Sequence, residues 1–280
     1  MSEIESRPAR RLLAVLAHPD DESLGIGGTL AKYAAEGVET FLLTATRGDA
    51  GRYRGHRAGE PQHPGPSALA VMREHELRQA AAVLGIRDVS LLHYRDQQLD
   101  RADPREAVSD IAMHLRNIRP DVVITFGPDG AYGHPDHVAI SQFTTAAAVA
   151  AANPDFSSGV GEAAPHAISK LYYTAWPDAI WSVFQTALRQ LVSVVDGVER
   201  RAVPWPDWAI TTVIDTGEFW PTVWQAISCH QSQVGAYEVL ANLSPEQHAQ
   251  LWGSQHFYRA FSTVNGGRER ETDLFEGIGR

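Results

Sequence analysis

Two short segments carry most of the chemistry open to this sequence. Ala17-His18-Pro19-Asp20-Asp21-Glu22 and Tyr132-Gly133-His134-Pro135-Asp136-His137 each set histidines and carboxylates around one proline. His18 and Asp21 are three residues apart, as are His134 and His137. In a turn entering a helix, that spacing aims both side chains at one point. The prolines hold each preceding histidine extended and fix the turn. His18, Asp21 and His137 make two imidazoles and one carboxylate, a facial set that suits Zn²⁺ and leaves positions open for water. The same set suits non-haem Fe²⁺. A divalent ion lowers the pKa of its water toward neutrality, and Asp20 beside it is then a general base. His134 and Tyr132 are left to stabilise a developing oxyanion or to protonate a leaving amine. Asp136 is expected to hold His134 charged and oriented.

Such a site needs elements that bring residues 18–21 and 132–137 together. Arg11 to Ala17, with Leu, Ala and Val running continuously from Leu12, reads as a buried strand. His18 to Gly28 reads as a loop, followed by a helix over Gly28 to Glu36 that stops at Gly37. Strands are expected at 38–46, 88–93 and 121–126, and helices at 67–84, 105–118 and 138–151. Arg47 to Pro66 is a long Gly/Pro/His-rich loop of the kind that is usually functional. The alternation predicts an α/β fold, a Rossmann-like doubly wound and mostly parallel sheet of order 3-2-1-4-5. Ligands bind such sheets where the strand order reverses, between strands 1 and 4. The two segments leave those two strands. Residues 153–280 form a less regular α+β elaboration of the 1–152 core, within a single domain spanning 1–280. Strands are expected there at 170–175, 191–195 and 209–215, helices at 218–231 and 245–252, and a mobile tail from Asn265.

Composition narrows the function classes. The chain has 280 residues, 44% hydrophobic and 21% charged, with net charge −10. That balance argues against tracking nucleic acid. One cysteine, Cys229, excludes an internal disulfide and a Cys-rich zinc site, and it reads as a buried structural thiol. The apolar run Leu12 to Ala17 is too short to span a bilayer or to make a signal-peptide core, which points to a cytoplasmic protein with no membrane partner. Gly25, Gly27 and Gly28 lack dinucleotide-fingerprint spacing and read as close-packing positions. Homo-oligomerisation is left open.

The two His-Pro-Asp segments resemble the signatures of the LmbE-like, or PIG-L, N-acetylglucosaminyl deacetylase family. Gly27-Gly28-Thr29-Leu30-Ala31, Leu43 to Gly51 and Arg73-Glu74-His75-Glu76-Leu77 are similar to its helix start, its loop after strand 2 and its Arg/Glu helix. Ile210-Thr211-Thr212 with Asp215 and His230-Gln231-Ser232-Gln233 resemble late elements of its thiol-sugar branch, and Glu271 to Phe275 resembles a common ending. The resemblance implies zinc or another divalent ion on His18, Asp21 and His137. It implies Asp20 as base, His134 and Tyr132 on the tetrahedral intermediate, and Asp136 tuning His134. The implied reaction removes an acetyl or similar acyl group from an N-acylated amino sugar, a small molecule. Arg47, Arg73, His230 and Gln233 would bind that substrate. A non-haem iron enzyme with the same triad and a metal-dependent carbohydrate-binding protein are the alternatives.

Overall fold

Strand β1 (Arg11–Leu16) buries both of its faces: Leu12, Leu13, Ala14 and Val15 are inaccessible to solvent. A strand of that kind belongs inside a parallel sheet covered by helices. The computed structural model has that architecture, and it describes residues 9–157, 163–188, 192–195, 197–201, 203–237, 239–267 and 269–279. After β1 come α1 (Asp21–Ala35), β2 (Glu39–Thr46), α2 (Pro66–Val83), β3 (Asp88–Tyr94), α3 (Pro104–Ile118) and β4 (Val122–Thr125). The short turn α4 (Gly130–Gly133) leads into α5 (Pro135–Ala152) and β5 (Lys170–Thr174). Next are α6 (Asp178–Leu188), the hairpin β6 (Val192–Val195) and β7 (Val198–Arg201), and β8 (Thr212–Asp215). α7 (Trp220–Cys229), α8 (Val234–Tyr237), α9 (Pro245–Trp252) and β9 (Ser254–Ser262) complete the order.

The sheet runs β3-β2-β1-β4-β5-β9-β8. Its first five strands are parallel and follow the predicted order; β9 is antiparallel to both β5 and β8. Strand order reverses between β1 and β4, so the loops leaving those strands open into one crevice. The main core lies on both faces of the sheet. A second cluster, with Trp181, Phe184, Val223, Leu251 and Trp252, joins α6, α7 and α9.

Several sequence expectations need correction. Helix α1 begins at Asp21, not Gly28, and absorbs the predicted loop. Asp21 and Glu22 occupy its first turn, where carboxylates complement the helix dipole. The 191–195 strand is observed as Val192–Val195, paired only with β7 and outside the main sheet; Leu191 lies outside the described residues. The tail is anchored, with Glu271, Leu274 and Phe275 buried. Cys229 is half-buried at the end of α7. Helix α6 and strand β9 were not predicted. β9 hides its period because one inward position is a glutamine: Gln255 is buried and accepts from the Thr29 N–H at 2.7 Å. Gly28 is a close-packing position, since a Cβ there would lie 2.8 Å from Thr216 Cβ.

Candidate active site

The crevice at the ends of β1 and β4 gathers His18, Asp21 and His137. His18 Nδ1 lies 3.2 Å from His137 Nε2. Asp21 Oδ2 is 3.7 Å from His18 Nδ1, and Asp21 Oδ1 is 3.5 Å from His137 Nε2. Donors about 2.1 Å from a shared ion are about 3.4 Å apart in a tetrahedral arrangement, so this donor set fits one ion. Asp21 Oδ2 also accepts the backbone N–H groups of Ala17 and His18, at 3.2 and 2.7 Å, which leaves Oδ1 for a cation. The ring of His137 stacks on Phe126, 3.9 Å between centroids, and is held in orientation. Burial, then His18 and His134, push His137 well below an ordinary histidine, which favours the neutral form a metal ligand needs. Burial, with Asp20 adding to it and His18 opposing, raises Asp21 to about 7.

The other face of His18 is also fixed. Its Nε2 meets Asp136 Oδ2 and Asp96 Oδ1, each at 3.1 Å. Burial opposes a positive His18, but its hydrogen bonds to the Asp136 and Asp96 carboxylates prevail and raise it. A metal-ligating histidine commonly donates its second N–H to a carboxylate in this way. Asp136 therefore orients His18 rather than His134. Its two oxygens also take the backbone N–H groups of Gln97 (2.7 Å) and Leu99 (3.1 Å). What meets His134 is the Asp136 backbone N–H, which donates to Nδ1 at 3.2 Å. His18, His134 and Asp136 form a second group that could hold an ion.

Asp20 sits beside the triad with one oxygen occupied. Its Oδ2 accepts from Arg73 Nη2 at 3.0 Å and from the Tyr237 hydroxyl. Arg73 also donates to the carbonyls of Pro19 and Gly48 and is only 3% exposed. It was expected to bind substrate; instead it clamps the Asp20 turn from below. Gly48 is required for that clamp, because any Cβ there would run into the Arg73 guanidinium. Burial, then Asp20, push the Tyr237 phenol far up, so it remains a donor.

Tyr132 and His134 line the open side. Their rings meet edge to face at 5.8 Å, and Tyr132 packs on His137 at 5.4 Å. Burial and the surrounding carboxylates push the Tyr132 phenol up, so it stays protonated. Burial and the nearby His18 lower His134 to about 4, which makes it neutral near pH 7, with Nε2 carrying the proton. A cavity of about 710 Å³ opens over Tyr132, His134 and Asp136. Arg52, Asp100 and Arg101 line its polar wall, and Val192 and Val194 of β6 its apolar wall.

The remaining predicted substrate contacts face elsewhere. Arg47 donates to Glu74 at 3.0 Å and to the Leu92 carbonyl at 2.9 Å. His230 is fully buried and paired with Glu22 at 2.9 Å. Gln233 ties the Arg52 carbonyl (2.9 Å) and so anchors the 47–66 loop to the C-terminal part. Three site residues went unseen in the sequence: Asp96, Glu22 in this role, and Tyr237. Asp96 follows a predicted strand that points into the same crevice, and that position was its only signal. His18 draws its carboxyl down to about 2 against the effect of burial.

Comparison with known proteins places the chain in a family. Residues 13–148 match the family model PIG-L, described as GlcNAc-PI de-N-acetylase. A 1D-myo-inositol 2-acetamido-2-deoxy-α-D-glucopyranoside deacetylase of Kineococcus radiotolerans is 38% identical, over 96% of this chain and 83% of its own. The enzyme of the same description from Rhodococcus jostii is 34% identical, over 96% and 99%. Among solved structures, the N,N'-diacetylchitobiose deacetylase of Pyrococcus horikoshii superposes with a TM-score of 0.66, covering 90% of this chain and 84% of that one. At 21% identity it attests the fold. The chain belongs to the PIG-L, or LmbE-like, family of deacetylases.

Proposed function

We propose that the protein is a divalent-metal-dependent hydrolase, zinc being the natural ion. It would remove the acetyl group from the amide nitrogen of an N-acetylglucosamine-type small molecule, with a glucosaminyl-inositol as the first substrate to try. The observation that carries this reading is the convergence of His18 Nδ1, Asp21 and His137 Nε2 beside a carboxylate, Asp20, that belongs to neither candidate ligand group. The relatives' activity on an acetylated glucosaminyl-inositol supports the substrate class. The 710 Å³ cavity is large enough for a two-ring molecule.

When bound, the ion supplies a Lewis acid and a water of lowered pKa. The chain's own residues do the rest. Asp20 Oδ2 is held by Arg73 and Tyr237, so Oδ1 takes the water proton. His134, neutral and protonated on Nε2, donates a hydrogen bond to the developing oxyanion, the Tyr132 hydroxyl donates beside it, and the proton taken up by Asp20 passes to the leaving amine nitrogen as the C–N bond breaks. Asp136 and Asp96 hold the His18 ring in place.

The test is a panel of N-acetylated sugars, led by the glucosaminyl-inositol. Released acetate and primary amine are measured after chelation and after Zn²⁺ is restored, with and without oxygen. Equal amounts of acetate and amine, dependent on the ion and indifferent to oxygen, are expected. Oxygen-dependent turnover would point to iron chemistry, and binding of intact sugar with no amine released would point to a binding protein.

A further inference from the structure

Asp20 adopts φ 114° and ψ −23°, a left-handed conformation that a residue with a side chain seldom takes. Strain of this kind persists only where the surroundings impose it. The Asp20 backbone N–H donates to Glu22 Oε2 at 2.9 Å. The other oxygen of Glu22, Oε1, accepts from His230 Nε2 at 2.9 Å and from the Ser23 hydroxyl at 2.6 Å. Glu22 and His230 are both wholly buried, so neither reaches substrate. A buried ion pair is often replaceable by apolar side chains without loss of stability. Here the pair has a directional task, because only an acceptor on Glu22 meets the N–H of the strained residue. His230 engages Oε1 and leaves Oε2 aimed at Asp20.

We propose that Glu22 and His230 are positioning residues that fix the Asp20 backbone, so that its free carboxylate oxygen faces the attacking water. The C-terminal part of the chain thereby sets the geometry of a base on the first helix. This inference rests on the reading of Asp20 as the general base. With an apolar residue at position 22, Asp20 loses its N–H acceptor and relaxes out of the left-handed conformation. Glutamine at 22 keeps an oxygen for the Asp20 N–H.

The experiment measures kcat, KM and bound metal for Glu22→Leu, Glu22→Gln and His230→Gln, each in the wild-type and Asp20→Asn backgrounds. Glu22→Leu should lower kcat about tenfold or more with KM and bound metal unchanged, and Glu22→Gln should recover most of that loss. In the Asp20→Asn background, Glu22→Leu should cost little further, since residues that act as a unit are non-additive. Should Glu22→Leu fail to fold, His230→Leu, which removes the donor to Glu22 Oε1, completes the same cycle with the same expectation, and His230→Gln is its conservative partner. Equal losses in both backgrounds, or a loss confined to KM, would overturn the positioning role while leaving Asp20 as base. Full turnover by Asp20→Asn alone would overturn both.

Discussion

Two adjacent carboxylates have different tasks at this site, and their neighbours decide which. Asp21 turns one oxygen to two backbone N–H groups and the other toward His137 Nε2. Asp20 turns one oxygen to Arg73 and Tyr237. Asp20→Asn should therefore keep the ion and lose about 10²- to 10⁴-fold in kcat, the usual cost of removing a general base. Metal analysis alongside kinetics checks this; loss of the ion would reassign Asp20 as a ligand. Tyr237→Phe removes one hydrogen bond to that base and should lower kcat about tenfold with bound metal unchanged. Unchanged turnover would show that Arg73 alone holds Asp20. The candidate ligand residues were legible because their types and spacing repeat in two segments. Asp96 and Tyr237 were not, because a lone carboxylate or phenol carries no pattern until the fold brings it to the site. Arg73 was misread for a related reason: sequence displays its charge but not its burial.

At the scale of elements, the site depends on how the first helix enters and what packs on it. α1 starts inside the first motif, bends at Ile26 and passes Thr216 at Gly28. Gly28→Ala should destabilise the fold by about 1–3 kcal/mol, the cost of overpacking a close contact. A urea unfolding midpoint measures it, and an unshifted midpoint would mean that Thr216 moves aside freely. The parallel half of the sheet was readable because its strands are apolar on both faces and alternate with helices. The antiparallel half was not. β9 mixes Gln255, His256 and Arg259 among its aromatics, so neither period shows. α6, which buries Trp181 and Phe184, is an apolar stretch whose type periodicity alone does not fix. The 47–66 loop was recognisable by composition, but not the hydrogen bonds that order it: His63 reaches the Gly51 carbonyl and accepts from the Gly65 N–H.

In the whole molecule, one buried carboxylate joins the C-terminal end to the sheet. Glu271 accepts from Lys170 on β5, Tyr172, Thr212 on β8, Arg259 on β9 and Asn265, each at 2.6–2.7 Å. Burial works against its charge, yet these donors lower it from 4.5 to about 2. A folded pKa below the unfolded one adds stability that is complete above pH 4.5 and is lost as pH falls toward 2. Allowing for solvent screening, the contribution is about 2 kcal/mol. Urea midpoints of wild type and Glu271→Gln should differ by that amount at pH 7 and converge as pH falls through this window. A constant gap would remove the charge from the explanation. The tail reads as mobile in sequence because its charges look solvated; the lysine and arginine that receive Glu271 are distant in the chain. The same long-range logic builds the candidate metal site, since β1 and β4 bring His18 and His137 together across 119 residues. The most direct test titrates Zn²⁺ into chelated enzyme while acetate release from the glucosaminyl-inositol substrate is followed. Activity should return and saturate near one ion per chain in wild type, and should not return in His18→Ala, Asp21→Ala or His137→Ala. Full activity in the chelated enzyme, or normal recovery in those variants, would contradict the account.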